Sequence, residues 1–355
     1  MKFLDLNPQY LRLEKSINER IKKVLEHGQY INGPEVTELE ELLTDYLGIK
    51  HAITCANGTD ALSIALKVLQ VNQNDAIFCP TFSYIATAEV IALEGAMPIF
   101  VDSDPRTFNI CAKDLEKKIK QTLEENKKTP KAIITVDLFG LPADYYEIKK
   151  VADKYKLKII EDGAQGFGGE INGRKACTFG DISTTSFFPS KPLGCYGDGG
   201  AIFTDRDDYA EVIRSLKVHG KGKDKYHNIR IGMNSRLDSI QAAILIEKLS
   251  IFDEECIKRN DLASIYNKKY SSDYVTPFIP SKYKSSYAQY TLLTENRDKA
   301  INKFNLDGIP TMVYYPVCIH RQHAFSYLKQ EHACPVAENL SEQVLSLPMN
   351  SYFET

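Results

Sequence analysis

The chain has 355 residues, of which 43% are hydrophobic and 26% charged, a composition that excludes a disordered or fibrous protein. The 44 basic and 47 acidic side chains give a net charge of −3. This balance gives no electrostatic reason to expect nucleic acid or a membrane as a partner, so any anionic ligand must be bound by a local site.

Strand-like and helix-like segments alternate through the first 250 residues. Apolar residues recur at helical spacing in two N-terminal segments, Ile17–Leu25 and Val36–Leu47. Short apolar strands are then predicted, in chain order, at His51–Cys55, Ala76–Cys79, Pro98–Val101, Ala132–Leu138, Leu157–Glu161, Ile182–Phe187 and Ala201–Thr204. The helices predicted between them are Asp60–Leu69, Ile85–Glu94 and Tyr145–Tyr155.

This order of elements predicts the fold class. Near-continuous apolar strands separated by helices are typical of a doubly wound, mostly parallel α/β sheet that is covered on both faces. A long helix is predicted from Ser239 to Tyr270, and the sequence beyond Ser271 favours short strands and loops. We therefore predict a large α/β domain over residues 1–245 and a smaller C-terminal α+β domain over residues 246–355.

The eight cysteines are scattered, with no two closer than 16 positions. This spacing is typical of reduced thiols in a cytoplasmic protein, and it contains no zinc-binding pattern. The N-terminus has no apolar leader, and no stretch of 18 apolar residues occurs. We therefore expect a cytoplasmic protein with no metal site and no membrane span.

Three segments at the ends of predicted strands contain residues that could bind a ligand or react with one. Ala56–Asp60 (ANGTD) opens a helix with a Gly-Thr pair, which can bind a phosphate through backbone N–H groups or simply cap the helix. Asp162 ends a strand, where it can hold a heterocyclic nitrogen protonated or cap the next helix. Lys191 lies between a strand and a Pro/Gly-rich turn, where desolvation would free its amine for reaction with a carbonyl, or it is a solvated surface lysine.

Together these segments match the requirements of pyridoxal phosphate (PLP). The cofactor needs a phosphate anchor, an acid about 100 residues later for its ring nitrogen, and a lysine about 30 residues further on for its aldehyde. Each signal is weak by itself, but the combination is specific.

The sequence also resembles the DegT/DnrJ-type nucleotide-sugar aminotransferases, which are fold-type I PLP enzymes. The resemblance extends from about Phe3 to Pro348. It rests on six motifs: Tyr30–Glu40 (YINGPEVTELE), Ala56–Leu62 (ANGTDAL), Pro80–Thr87 (PTFSYIAT), Glu161–Gln165 (EDGAQ), Ser186–Gly200 (SFFPSKPLGCYGDGG) and Gly232–Gln241 (GMNSRLDSIQ).

The resemblance implies roles for the residues in these motifs. Lys191 would bind the cofactor covalently and later carry a proton, and Asp162 would pair with the ring nitrogen. Asn234 would reach the cofactor phosphate of a neighbouring subunit, which implies a homodimer with shared sites. The implied cofactor-binding set is Gly58, Thr59, Tyr84, Asp162, Gln165, Ser186, Lys191 and Asn234.

A second set would bind the nucleotide-sugar substrate: Arg236, His219, Tyr314, Tyr315 and His320. Arg236 could instead form a structural ion pair with Asp238 or Glu247. The basic segment Lys217–Arg230 is either a solvated loop or an approach to the substrate diphosphate. Tyr314 departs from the family, which usually has His before Tyr-Pro.

Within the family, the sequence most resembles the 3-aminotransferases that act on UDP-2-acetamido-2-deoxy-3-oxo-glucuronic acid. The expected reaction moves an amino group from L-glutamate to C3 of this sugar, for a surface polysaccharide such as the lipopolysaccharide O-antigen. The alternatives are a dTDP-3-keto-6-deoxyhexose substrate, a 4-keto sugar, or a non-catalytic PLP-binding regulator. A sugar dehydratase is disfavoured because that branch replaces the lysine with His, whereas Lys191 is intact.

Overall fold

The computed structural model describes residues 2–224, 226–328 and 334–353. Within this part, the helices are α1 Asn7–His27, α2 Pro34–Leu47, α3 Gly58–Val68, α4 Ala86–Leu93, α5 Ala112–Glu125, α6 Tyr145–Tyr155, α7 Asp207–Leu216, α8 Ser239–Leu249, α9 Phe252–Tyr270, α10 Arg297–Leu306 and α11 Pro335–Gln343. The strands are β1 His51–Cys55, β2 Asp75–Pro80, β3 Met97–Val101, β4 Thr129–Val136, β5 Lys158–Asp162, β6 Glu170–Ile171, β7 Arg174–Lys175, β8 Ile182–Ser186, β9 Gly200–Thr204, β10 Tyr283–Lys284, β11 Tyr290–Leu293 and β12 Val344–Leu347.

Seven strands form a central sheet in the order β1-β9-β8-β5-β4-β2-β3. The pairs β2–β3, β2–β4, β4–β5 and β5–β8 are parallel, and β9 runs antiparallel to both of its neighbours. The mostly parallel α/β sheet predicted from the sequence is therefore confirmed.

Both faces of the sheet are buried, which explains the near-continuous apolar strands. Along β4 and β5, Ile134 and Ile160 pack with α3, α4 and α7 on one face. Their chain neighbours Ile133 and Ile159 pack with α5 and α6 on the other face. Because successive side chains of a strand point to opposite faces, a strand covered on both sides is apolar at most positions.

The prediction of one long helix from Ser239 to Tyr270 is wrong, because α8 ends at Leu249 and α9 begins at Phe252. Ile251 lies between them with φ −113° and ψ 3°, outside the helical region. Phe252 is fully buried against Phe167, and the first turn of α9 carries three acidic side chains, which favours a new helix N-terminus there.

The C-terminal region contains both strands and helices. The expected short strands are present as the antiparallel pair β11–β12, and α10 and α11 are helices that the loop-rich sequence beyond Ser271 does not indicate. Asn296 caps α10 by accepting a hydrogen bond from the backbone N–H of Lys299. The predicted boundary between residues 245 and 246 falls within α8, and the division into two domains stays a prediction.

No helix in the described ranges is both long and apolar enough to cross a bilayer.

Candidate active site

The carboxyl ends of β1, β5 and β8 lie at one edge of the central sheet. Cys55 and Ser186 are both paired with Gly200 of β9, so the chain leaving β1 passes beside the end of β8. Asp162 ends β5, the parallel neighbour of β8. Ligands of open α/β sheets bind at this edge, where the sequence placed the three candidate segments.

The N-terminus of α3 forms a cradle against the end of β8. Asn57 caps the helix by accepting a hydrogen bond from the backbone N–H of Asp60, so Gly58 and Thr59 occupy its first turn. The first backbone N–H groups of a helix have no acceptor within it. A Cβ on Gly58 would lie 2.7 Å from Cβ of Ser186, so only glycine allows this approach. The arrangement presents backbone N–H groups and two hydroxyls to an anion.

Asp162 is held in a fixed orientation at the end of β5. Its Oδ2 accepts a hydrogen bond from the Thr87 hydroxyl at 3.1 Å, and its Oδ1 accepts one from the backbone N–H of Ala164 at 3.2 Å. Asp162 is only 7% exposed. Burial raises the pKa of this carboxyl, and the positive charge of Lys191 opposes the rise.

Lys191 lies in the turn between β8 and β9, and its backbone N–H donates to Phe188 O at 2.9 Å. Burial lowers the pKa of its ammonium, and the negative charge of Asp162 opposes that shift. The acid and the amine therefore influence each other electrostatically at this edge of the sheet. A lysine in this setting is more easily deprotonated than a solvated one.

Three further side chains from the predicted set meet near Asp162. Gln165 accepts a hydrogen bond from the backbone N–H of Phe139 at 2.7 Å and donates to the Tyr315 hydroxyl at 3.2 Å. Burial raises the pKa of Tyr315 above its usual range. The ring of Tyr84, which is 57% exposed, lies with its centroid 6.4 Å from that of Tyr315. These contacts bring Tyr84, Gln165 and Tyr315 to the same side of the cleft.

The segment with Asn234 and Arg236 leaves two polar side chains unused. Asn234 is exposed, and its backbone pairs with Val218. The Arg236 Nε is buried, yet it contacts no hydrogen-bond acceptor among the described residues. Glu247, one of the carboxylates considered as its ion-pair partner, is instead bonded to Arg20 at 2.5 Å.

The basic residues of Lys217–Arg230 do not all lie on one solvated loop. Lys217 is 5% exposed, and its Nζ donates to Thr54 O at 2.6 Å and lies 3.5 Å from Glu40. The expectation that Lys217 belongs to a solvated loop or meets a diphosphate is wrong, because the fold buries it. His219 is exposed, and its backbone N–H donates to Met233 O at 2.9 Å, whereas Lys225 lies outside the described residues.

His320 has no free ring nitrogen in this structure. Its Nδ1 is 2.6 Å from the Thr81 hydroxyl and its Nε2 is 2.8 Å from a carboxylate oxygen of Glu338. These contacts join the segment that contains Tyr315 to the β2–α4 segment that contains Tyr84. They favour a structural role for His320 over direct contact with a substrate.

Comparison with known proteins decides the family. The profile of the DegT/DnrJ/EryC1/StrS aminotransferase family matches residues 12–355. The chain belongs to this family.

Individual members of the family match along their whole length. The UDP-2-acetamido-2-deoxy-3-oxo-D-glucuronate aminotransferase of Pseudomonas aeruginosa is 46% identical, with 100% of this chain and 96% of that protein covered. The crystal structure of a DegT/DnrJ/EryC1/StrS aminotransferase from Brucella abortus is also 46% identical, with a TM-score of 0.98 over 100% of this chain and 95% of that one. Streptomyces venezuelae DesV, solved in complex with a ketimine intermediate, is 33% identical. Its TM-score is 0.94, with 99% of this chain and 94% of the DesV chain covered.

The DegT/DnrJ/EryC1/StrS aminotransferase fold thus agrees with the fold-type I architecture expected from the sequence. One contact of the site was missed by sequence reasoning, namely the bond from the Thr87 hydroxyl to Asp162. Thr87 closes the PTFSYIAT motif, but a threonine at the start of a helix normally reads as a cap. Nothing in the local pattern connects it to an acid 75 positions away.

Proposed function

We propose that this family member binds PLP through Lys191 and transfers an amino group from L-glutamate to C3 of a UDP-linked 2-acetamido-3-oxo sugar. The observation that carries the proposal is the grouping of three features at the carboxyl edge of the sheet: the buried acid Asp162, which feels the charge of Lys191, the amine of Lys191, whose pKa burial lowers, and the α3 cradle. The three parts are spaced along one edge of the sheet, as the three functional groups of PLP require.

The residues present fit this cofactor. Gly58, Thr59 and Ser186 offer donors to a phosphate dianion at a helix N-terminus. Asp162, held by Thr87 and Ala164, offers a carboxylate to a protonated ring nitrogen. Tyr84 offers a partly exposed ring to stack on the pyridine face.

When bound, PLP supplies an electron-withdrawing ring that lets a proton leave the carbon bearing the amine. Lys191 Nζ would accept that proton from the α-carbon of glutamate; the amino group would stay with the cofactor, and water would supply the keto oxygen of the departing 2-oxoglutarate. In the second half of the cycle Lys191 would deliver a proton to C3 of the sugar, which would receive the amino group while its keto oxygen leaves as water. Asp162 would keep the ring nitrogen protonated, and its burial would keep bulk water from competing for that contact.

The proposed active unit is a homodimer with shared sites. Asn234 is exposed, and the buried Nε of Arg236 meets no acceptor in the part of the chain that the structure describes, so both side chains could bond to a neighbouring subunit. Large apolar side chains are also exposed just before them in the chain, where Ile231 is 91% and Ile229 49% exposed. Apolar surface of this kind is buried when two copies associate.

The substrate is proposed from the Pseudomonas relative and from Arg236. The guanidinium of Arg236 has an N–H group with no acceptor among the described residues, and such a group can bind a carboxylate or a diphosphate. The first candidate is therefore UDP-2-acetamido-2-deoxy-3-oxo-D-glucuronate, which the name of that relative gives as its substrate. Tyr314 favours a second candidate, a dTDP-3-keto-6-deoxyhexose. Its phenol is partly buried, its pKa is raised by burial, and it carries no positive charge for a C6 carboxylate.

The experiment that tests the proposal is a two-stage absorbance measurement on the PLP-loaded protein. L-glutamate should shift the cofactor band from about 410 nm to about 330 nm, and the 3-oxo sugar should restore it. A non-catalytic regulator would show no shift. Arg236→Ala should lower kcat/KM for the uronic acid far more than for the 6-deoxy sugar, and a higher wild-type kcat/KM for the 6-deoxy sugar would overturn the choice of substrate.

A further inference from the structure

The turn that carries Lys191 is folded tightly against its own backbone. The backbone N–H of Cys195 donates to Phe187 O at 2.8 Å, which closes the turn at its base. A Cβ on Gly194 would lie 2.7 Å from the carbonyl oxygens of both Phe188 and Pro189. The turn is therefore compact, and Pro192 and Gly194 on its far side are buried.

Two cations from neighbouring helices bind the carbonyl groups on that side. Lys248 of α8 donates from Nζ to Gly194 O at 2.6 Å, and Arg259 of α9 donates from Nη2 to Pro192 O at 3.2 Å. Lys248 is 1% exposed, and its Nζ lies 4.2 Å from the centroid of the Tyr196 ring. The two helices thus support the turn from behind.

The ammonium of Lys248 is buried without a carboxylate partner. No ion pair joins it to any acid among the described residues, since nearby Glu255 accepts hydrogen bonds from Gln9 and the Tyr352 hydroxyl. Burial lowers the pKa of Lys248 to about 8. The negative charge of Glu255 offsets that shift only in part. A buried cation outside ion-pair contact costs free energy, and methionine would fill the same space without that cost. Methionine, however, has no N–H group that could donate a hydrogen bond to the buried Gly194 carbonyl oxygen.

We propose that Lys248 is a positioning residue for Lys191, which fixes the turn through Gly194 with help from Arg259. The inference rests on the proposed function, in which Lys191 is the reacting lysine. Gly194 follows Lys191 by only three positions, so loss of the hydrogen bond to the Gly194 carbonyl would loosen the backbone that orients the Lys191 side chain. A displacement of about 1 Å in a reacting group can cost about 100-fold in rate.

The test compares Lys248→Met with Lys118→Met, a lysine that is 2% exposed and belongs to α5, a helix that packs against β2, β3, β4 and α6. Both variants remove a buried ammonium and keep a similar volume. Hydrogen–deuterium exchange of residues 187–196 is measured without cofactor, and kcat and KM for glutamate are measured with PLP. We expect Lys248→Met to exchange about tenfold faster in the turn and to lose about 10–100-fold in kcat, with KM within about threefold of wild type.

Two further variants keep the test decisive. Lys248→Gln retains an N–H donor without the charge, and it should recover most of the lost kcat. If Lys248→Met does not fold, Arg259→Met should show the same two changes to a smaller degree. The inference would be overturned if hydrogen–deuterium exchange in the turn and kcat were equal to those of Lys118→Met. It would also be overturned if only KM changed. If the wild-type protein shows no transamination, the proposed function fails, and the exchange measurement still decides the role of Lys248 in the turn.

Discussion

At the scale of single residues, the site depends on two groups whose pKa values burial moves in opposite directions. The pKa of Asp162 is raised and that of Lys191 is lowered, and each charge partly offsets the shift of the other. Burial makes the charges of both groups more effective toward a cofactor bound between them than they would be in water. We therefore expect the reaction to require the negative charge of the Asp162 side chain and not only its shape.

Asp162→Asn tests this expectation, because it keeps the size of the side chain and removes the charge. We expect the rate of the glutamate half-reaction to fall by about 10²–10³-fold, since preorganised electrostatic groups contribute on that order. The rate is measured by stopped-flow absorbance, with Asp198→Asn, an exposed acid, as the control. A half-reaction within about threefold of wild type would contradict the role of the charge.

The buried ammonium of Lys248 makes stability depend on pH. Its pKa is about 8 in the folded chain and about 10.4 in the unfolded chain, so between these values the unfolded chain binds more protons. The free energy of unfolding contributed by this group must therefore rise with pH, by at most about 1.4 kcal/mol per pH unit. Below pH 8 the cost of burying the charge is present in full.

The measurement is urea unfolding of the wild type and of Lys248→Met at pH 7.5, 8.5 and 9.5. The wild-type free energy of unfolding minus that of the variant should rise between pH 8 and pH 10. A constant difference across this range would show that the lysine is not desolvated.

At the scale of elements, the cofactor cradle depends on the close approach of α3 to β8. Gly58 permits the contact, because a Cβ there would meet Cβ of Ser186 at 2.7 Å and its Oγ at 3.3 Å. Widening this contact would move the first N–H groups of α3 away from the Ser186 hydroxyl. The glycine is thus required for the spacing of the donors.

Gly58→Ala should therefore weaken both folding and cofactor binding. Overpacking of this kind costs about 1–3 kcal/mol in the free energy of unfolding, and we expect a rise of at least about tenfold in the Kd for PLP. Adding Ser186→Gly removes the Cβ that clashes and should restore part of the stability, but not the affinity, because a hydroxyl donor is lost. The Kd is measured by fluorescence titration, and an unchanged Kd in Gly58→Ala would contradict the assignment of the cradle.

Most of the elements could be predicted because their patterns are local. The bounds of β1 and α6 match the predicted His51–Cys55 and Tyr145–Tyr155 at both ends. The break between α8 and α9 could not be predicted, since it depends on Phe252 packing against Phe167, a contact distant in sequence. The same is true of Lys217, which looks like a loop cation until the fold places Thr54 and Glu40 beside it.

At the scale of the whole molecule, the proposed shared sites make a prediction about mixtures. Lys191→Ala and Asn234→Ala should each be inactive as pure proteins, because one lacks the reacting lysine and the other lacks the proposed contact with the neighbouring phosphate. A hybrid dimer contains one intact site if Asn234 acts across the interface.

Activity should therefore reappear when the two variants are mixed and allowed to exchange subunits, approaching about a quarter of the wild-type value for random pairing of equal amounts. Steady-state transamination measures this recovery, and a mixture of Lys191→Ala with Asp162→Asn, two changes on the same side of the site, is the control. No recovery after demonstrated subunit exchange would mean that Asn234 does not serve a neighbouring site.

The central claim, that Lys191 is the residue that binds PLP, is tested most directly by trapping the bond. The loaded protein is reduced with borohydride and digested, and the modified peptide is identified by mass spectrometry. The account predicts modification at Lys191 in the wild type and none at that position, with no turnover, in Lys191→Ala. Cofactor trapped on a different lysine, or a Lys191→Ala protein that still transaminates, would contradict it.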